Sequence, residues 1–242
     1  MKHSEVIQHD IWSFFDKIYC ISLDERSDRR EQARKEFADI GLLQRVEFVI
    51  VAKHPENQEK GIFQSHMNCL ARGLKAQARH ILIFEDDVFF QNFDADAVQE
   101  VCTYLDSTTD WNAMFLGCIT SGSRRTGTKN LVEITYRCLA HAYVLNRPFA
   151  KRIVQKTWSG IPFDEFLRHH NTNFFALYPM CAFQGLEGSD NNTVAIDRVR
   201  RLLGGLPFIQ KTNELYQNHK MVLLPGSLAI LFIFTGMIFW LW

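Results

Sequence analysis

Neither sign of charge is in excess: 27 Lys and Arg balance 27 Asp and Glu, a formal net charge of zero over 242 residues. A protein held to nucleic acid by its overall field needs surplus, clustered cations to neutralise phosphates, so no nucleic-acid partner is expected. Internal repeats, low-complexity tracts and Pro/Gly-rich linkers are missing between residues 12 and 210, which therefore read as one domain. No Cys-x-x-Cys pair occurs among Cys20, Cys69, Cys102, Cys118, Cys138 and Cys181. Free, mostly buried thiols are expected, with neither a zinc site nor a disulfide framework. The opening MKHSEVIQHDIWSFFDK lacks a continuous apolar core before a small-residue cleavage site, so it does not read as a signal peptide.

The residues that are there are strongly segregated. From Met221 to Trp242 the chain runs 22 residues without a charge. As a helix it would span about 33 Å, enough for a hydrocarbon core of about 30 Å. Trp240 and Trp242 stand where an interfacial aromatic belt would fall, and Arg198, Arg200, Arg201, Lys211 and Lys220 precede the stretch as a cytoplasmic cationic flank would. A buried core helix or strand pair is the alternative, encouraged by Pro225, Gly226 and Gly236, but the stretch has no polar face. The expectation is a single-pass C-terminal transmembrane helix with the rest of the chain in the cytosol. Four segments follow: an extension over 1–15, a catalytic domain over 16–210, a juxtamembrane linker over 211–220 and the membrane anchor over 221–242.

Within the domain, strand and helix patterns alternate. Lys17 to Ser22, Val46 to Val51, His80 to Phe84 and Ala113 to Leu116 are short β-branched or apolar runs that predict strands. Between them, a helix begins at Asp24 or Ser27 and runs to Ile40 with Gly41 as its stop; others cover Ile62 to Gln77 and residues 94–105. Leu131 to Ile134, Cys138 to Leu145 and Asn173 to Tyr178 predict further strands, with helices from Asn146 to about Lys156 and from Phe163 to His170. The intervening SGSRRTGTKN reads as a polar loop. Alternation of this kind indicates an α/β fold with a mostly parallel central sheet.

The sharpest chemical signal is Glu85, Asp86 and Asp87 at the end of the apolar run Ile81 to Phe84. Ligands of open α/β sheets bind at the carboxyl ends of strands. Three carboxylates there repel one another unless a divalent cation bridges them to an anionic substrate, so Mg²⁺ or Mn²⁺ against a diphosphate suits them. A plain acidic turn capping the next element is the alternative. Arg26, Asp28, Arg29 and Arg30 follow the first strand, where a starting helix directs N–H groups and guanidinium forks at an anion. Arg34 and Lys35 read instead as a solvated face paired with Glu31 and Glu36. Ser65 and His66 lie where they could contact a ligand, although a lone His is more often structural. Asp164 and Glu165 open a short helix, and Gln184, Gly185, Ser189 and Asp190 form a polar loop; either acid group could supply a general base. His169 and His170 point about 100° apart on a helix and make a poor chelate.

The order of these motifs resembles glycosyltransferase family 25, which includes lipopolysaccharide galactosyltransferases and the catalytic domains of collagen galactosyltransferases. The resemblance runs through Ile21-Ser22-Leu23 with Arg26, Asp28, Arg29 and Arg30, then Gly61 to His66, then Phe84 to Val88. Next come Asp110-Trp111, Leu116-Gly117, Ala142 to Leu145, Pro162 to Leu167 and Ser189-Asp190, a collinear set over roughly residues 16 to 192. Ala142 replaces a Gly common in the family, and Leu186-Glu187-Gly188 replaces its usual context before the last motif.

The resemblance implies a GT-A-like fold and an inverting transfer of a sugar, most often galactose, from a UDP-sugar to a hydroxyl of a glycan, glycolipid or protein. Glu85, Asp86 and Asp87 would then hold the metal. Ser22, Leu23, Arg26, Asp28, Arg29, Arg30, Ser65 and His66 would line the nucleotide. Asp164 would be the base, with Glu165 or Asp190 as the alternative. Two other classes stay open: an inactive glycosyltransferase-like binding protein, and a metal-dependent phosphohydrolase or nucleotidyltransferase.

Overall fold

The first half of the chain alternates strand and helix as its sequence predicts. In the computed structural model, which describes residues 10–185 and 205–221, β1 (Lys17–Leu23), β2 (Val46–Val51) and β3 (His80–Glu85) are linked through α1 (Ser27–Asp39) and α2 (Gln58–Lys75). After a short β4 (Val88–Phe90) come α3 (Ala95–Ser107), β5 (Ala113–Phe115), β6 (Ile119–Arg125), β7 (Leu131–Cys138) and β8 (Ala142–Asn146). Then follow α4 (Arg147–Ile153), α5 (Phe163–His169), β9 (Phe174–Leu177), β10 (Ala182–Gln184) and a last helix, α6 (205–221). Local chemistry sets several boundaries: the Asn57 side chain accepts from the Lys60 N–H at the start of α2, and Asp94 and Asn146 do the same service for α3 and α4. Gly41, at φ +70°, lets the chain leave the α1 region through a conformation that a Cβ disfavours.

The strands order as β2-β1-β3-β8-β5-β9-β7-β6 in one sheet. β1 is parallel to β2 and β3, and β5 to β9, whereas β8 is antiparallel to both β3 and β5 and β7 to both β9 and β6. All strands but β7 and β8 thus point the same way. β4 and β10 form a separate antiparallel ribbon.

Successive side chains of a strand face opposite sides of a sheet. Tyr19, Ile81, Ile83, Tyr143 and Leu145 therefore share one core with Phe63 and Leu70 of α2, Phe149 of α4 and Phe166 of α5. Ile18, Cys20, Leu82, Phe84 and Val144 fill a second core with Phe37 of α1 and Val98 and Leu105 of α3. Burying each such side chain contributes roughly 1.5–3 kcal/mol, so the sheet is stable only with helices on both faces. All six cysteines are free, and every one except Cys138 is buried.

Two expectations are corrected here. The polar stretch expected as a loop after β5 instead supplies most of β6, an edge strand on which Ser121, Arg124 and Arg125 are exposed, and charged side chains are one way edges avoid pairing with other chains. The transmembrane helix, and with it the single-pass membrane localisation and the membrane as a partner, does not stand. Among the described residues no helix is long and apolar enough to cross a membrane. Met221, where the apolar stretch begins, closes the amphipathic α6, which also takes in the segment expected as a linker over 211–220. Residues 222–242 lie outside the described residues.

The face that α6 turns to the fold is polar. Gln210 donates to the Ala182 carbonyl at 2.8 Å, Asn213 exchanges hydrogen bonds with the Thr120 backbone, and Glu214 accepts the Met180 N–H at 2.7 Å. Gln210 and Glu214 are buried, and burial pushes the Glu214 carboxyl up to about 7.

Candidate active site

Parallel register brings two sequence-distant segments to one sheet edge: Ile21 of β1 lies beside Glu85 of β3. Ser22 and Leu23 therefore end beside Glu85, Asp86 and Asp87, and α1 starts just beyond, with Arg29 and Arg30 in its first turns.

The three acids, expected as one cluster, stand at the end of β3 and in the turn after it, and they reach different partners. Glu85 shares the parity of Ile81 and Ile83 and reaches the α2 side, whereas Asp86 and Asp87 reach Arg29 of α1. Arg29 Nη1 stands 3.7 Å from Asp86 Oδ1 and 3.5 Å from Asp87 Oδ2. Gln184 donates to Asp87 Oδ2 at 3.1 Å, and the Gly185 N–H donates to the Asp87 carbonyl at 2.7 Å. A side chain on Gly185 would press on that carbonyl at 3.1 Å. Asp86 Oδ2 and Asp87 Oδ1 are buried and have no hydrogen-bond partner among the described residues.

Burial raises the proton affinity of all three carboxyls. For Glu85 the effect is large and reinforced by the charges of Asp87, Asp164 and Asp86. For Asp86 the Ser22 hydroxyl opposes it while Asp87 adds to it, and for Asp87 it is opposed first by Arg29 and then by Gln184. Such groups are costly as anions and favour a nearby cation.

These donors fit a hard divalent ion. Carboxylate oxygens that lack hydrogen bonds are what Mg²⁺ and Mn²⁺ take, and such sites commonly rest on one or two carboxylates with the remaining ligands from phosphates and water. Among the described residues no group of three or more His, Cys, Asp or Glu converges as a metal site. The fit is therefore to Asp86 and Asp87, with Glu85 across the strand.

His66 connects Glu85 to the α2/α5 core. Its Nε2 lies 3.3 Å from Glu85 Oε1, its Nδ1 lies 3.0 Å from the Tyr143 hydroxyl, and its ring stacks on Phe163 at 4.0 Å. Burial drives its pKa down to about 3, so it is a neutral imidazole. With Glu85 ionised, the consistent arrangement has Tyr143 O–H donating to Nδ1 and Nε2–H donating to Glu85.

The other expected residues divide into those at the edge and those tied elsewhere. Arg30 Nη1 donates to Ser22 Oγ at 3.0 Å and to the Leu23 carbonyl at 2.8 Å, bracing the end of β1. Arg26 clasps Asp28 through two 3.0 Å bonds, which hold that carboxyl down at about 2. Ser65 is turned away, donating to the Gly61 carbonyl of its own helix at 2.8 Å. Asp164 accepts from Tyr136 O–H at 2.7 Å and from the Leu139 and Ala140 N–H groups at 3.0 and 2.9 Å. It thereby pins α5 to the β7–β8 turn, where Leu139 sits at φ +74°. Glu165 pairs with Arg168 and His169 on the outer face of α5. Asp190 lies outside the described residues.

Sequence reasoning singled out neither Tyr136 nor Phe163 as site supports, and both look in sequence like any other buried aromatic. Gln184 was visible as a polar residue closing an apolar run.

No family model matches the chain, and no curated protein matches its sequence. Solved structures it partly resembles include A197 from STIV, at 15% identity over 69% of this chain and 85% of that one, with a TM-score of 0.46. Another is a glycosyltransferase involved in glycosylating the major capsid of PBCV-1 (9% identity, 66% and 81% of the two chains, TM-score 0.39). A third is a putative glucose-1-phosphate thymidylyltransferase from Bacillus anthracis (11%, 83% and 76%, TM-score 0.41). The last two are described as a glycosyltransferase and a thymidylyltransferase, and likenesses this distant carry neither activity to the present chain.

Proposed function

We propose that the protein is an inverting glycosyltransferase that moves a sugar, with galactose the first candidate, from a UDP-sugar to a hydroxyl acceptor. The observation that carries this reading is the split acidic edge. Asp86 and Asp87, each with one buried orphan oxygen, stand beside Arg29, and a third carboxylate, Glu85, meets His66 and has a raised proton affinity. One set suits a diphosphate and the other a proton transfer. The collinear motif order from residue 16 to 192 supports the same reading.

Asp86 and Asp87 would hold Mn²⁺ or Mg²⁺, which when bound offsets the negative charge developing on the departing diphosphate. Arg29 adds a fixed cation on the same side. Arg30 keeps Ser22 and Leu23 in place as the floor under the nucleotide, and Arg26 and Asp28 form the wall beside it. Inversion requires a base on the face opposite the leaving group. Glu85 takes that role here rather than Asp164, because Asp164 already accepts three hydrogen bonds and Glu85 meets only the His66 N–H. The neutral His66, held by Tyr143, orients the Glu85 carboxylate toward the hydroxyl it deprotonates.

The test is to incubate the full chain with a panel of UDP-sugars, Mn²⁺ and hydroxyl acceptors and to follow free UDP and glycosylated product together. Both are expected in equal amounts and both should vanish with EDTA. Sugar 1-phosphate in place of UDP would assign the acids to cleavage of the diphosphate, as in nucleotidyl transfer or hydrolysis, and binding of UDP without turnover would make the protein a binding module.

A further inference from the structure

A groove of about 610 Å³ runs along α2 beside the segment that links α4 to α5, within the range of about 300–1,000 Å³ typical of ligand sites. Phe63, Met67, Val154 and Trp158 give it an apolar floor. Lys60, Gln64 and Asn68 edge it on α2, and Lys156 and Thr157 edge it on the other side. The α2 residues fall at intervals of four, so their heads follow one another about 6 Å apart along the helix.

Three observations define what this groove fits. No acidic side chain lines it, and neither lysine ammonium has a hydrogen-bond or ion-pair partner among the described residues, so its charge is uncompensated. Trp158 is held by a 3.0 Å bond from its indole N–H to the Ile161 carbonyl, so its ring is oriented before any ligand arrives. Gln64 and Asn68 are exposed amides with donors and acceptors at a repeating interval. An apolar ring takes the C–H face of a pyranose against its negative π face, amides take hydroxyls, and ammonium groups take carboxylates.

A file of packed rings connects the groove floor with the acidic edge. The floor residue Phe63 packs edge-on to Phe163 at 6.1 Å, Phe163 stacks on His66 at 4.0 Å, and His66 reaches Glu85. We infer that this groove binds the acceptor, and that the acceptor is an acidic glycan, a chain of sugars carrying carboxylates that Lys60 and Lys156 recognise. As the acceptor subsite this rests on the glycosyltransferase reading above; as a site for an acidic glycan it stands on the groove alone.

The experiment is calorimetric titration of the full chain with hexagalacturonate and with the neutral cellohexaose, at low and at moderate salt, and with UDP plus Mn²⁺ in the same buffer. Hexagalacturonate should bind at least tenfold more tightly than cellohexaose, lose much of that advantage as salt rises, and quench indole fluorescence. The double variant Lys60→Gln/Lys156→Gln should bind the two hexasaccharides alike, and Trp158→Ala should weaken both. Because both lysines lie at the surface without partners, circular dichroism should match the parent. Equal affinity for the two hexasaccharides, or an undiminished preference in the double variant, overturns the inference whatever UDP does. If hexagalacturonate binds and UDP does not, the groove is an acidic-glycan site and the donor reading fails instead.

Discussion

The imidazole of His66 lies flat against the ring of Phe163, with centroids 4.0 Å apart and planes within 3° of parallel. Because α5 carries Phe163 and α2 carries His66, this stack joins two helices distant in sequence and fixes the plane in which Nε2 meets Glu85.

If Glu85 is the base, Glu85→Gln should lower kcat by about 10²–10⁴-fold while leaving the KM for the donor unchanged. Burial and the neighbouring carboxylates raise the Glu85 pKa, so the parent's kcat/KM should fall as pH drops through a value above the ordinary carboxylate range. The variant should lose that limb. A pH–rate profile of both proteins decides it, and an identical acid limb in the variant places the base elsewhere.

Asp87→Asn should abolish sugar transfer without loosening the fold. Burial already disfavours the Asp87 anion, and an amide oxygen can still accept from Gln184, so the thermal midpoint should hold or rise. Turnover at saturating Mn²⁺ equal to that of the parent would exclude Asp87 as a metal ligand.

Asp164→Asn acts differently from both. Its carboxylate is the common acceptor for Tyr136, Leu139 and Ala140, and an amide offers one oxygen where two were used. The variant should lose about 1–3 kcal/mol in urea denaturation from donors left unpaired. Unchanged stability combined with lost turnover would instead restore Asp164 to the chemistry.

Stability should also depend on pH through Glu214. Its folded pKa is raised to about 7 by burial, so the folded state binds the proton more tightly than the unfolded chain does. That contribution is fully present below the ordinary carboxylate value and is lost as pH rises through about 7. Urea midpoints should thus decline between pH 5 and pH 8, and Glu214→Gln should flatten the decline. An unaltered slope in the variant would trace it to another group.

Much of this arrangement was legible from sequence pattern because its causes are local. β1, β2, β3 and α1 follow from apolar runs, an abrupt change to acids and a stop at Gly41. The acid block and the arginines could be placed at one edge because consecutive parallel strands end together. The rest depends on partners distant in sequence. β4 and β10 are three residues each and exist only as each other's partner. β6 has the composition of a loop and becomes a strand by pairing with β7. α6 is helical with a polar inner face, since what it meets is backbone carbonyls and N–H groups rather than a greasy surface. Sequence places three carboxylates together but does not show their partners: Glu85 meets His66, whereas Asp86 and Asp87 meet Arg29. Sequence likewise shows Asp164 as a carboxylate but not the three donors it accepts from.

The bond from Gln184 to Asp87 spans 97 residues of chain. Closing so long a loop is entropically slow and comes after the local pairings that build β1, β2 and β3. During synthesis the strands that carry Ser22 and Glu85 can therefore assemble while the acidic turn is still unfastened, and it gains its working shape only once residues 182–185 have emerged and zipped onto β4. A chain cut short before residue 182 would hold the acids without the ribbon and the Gln184 bond that align them.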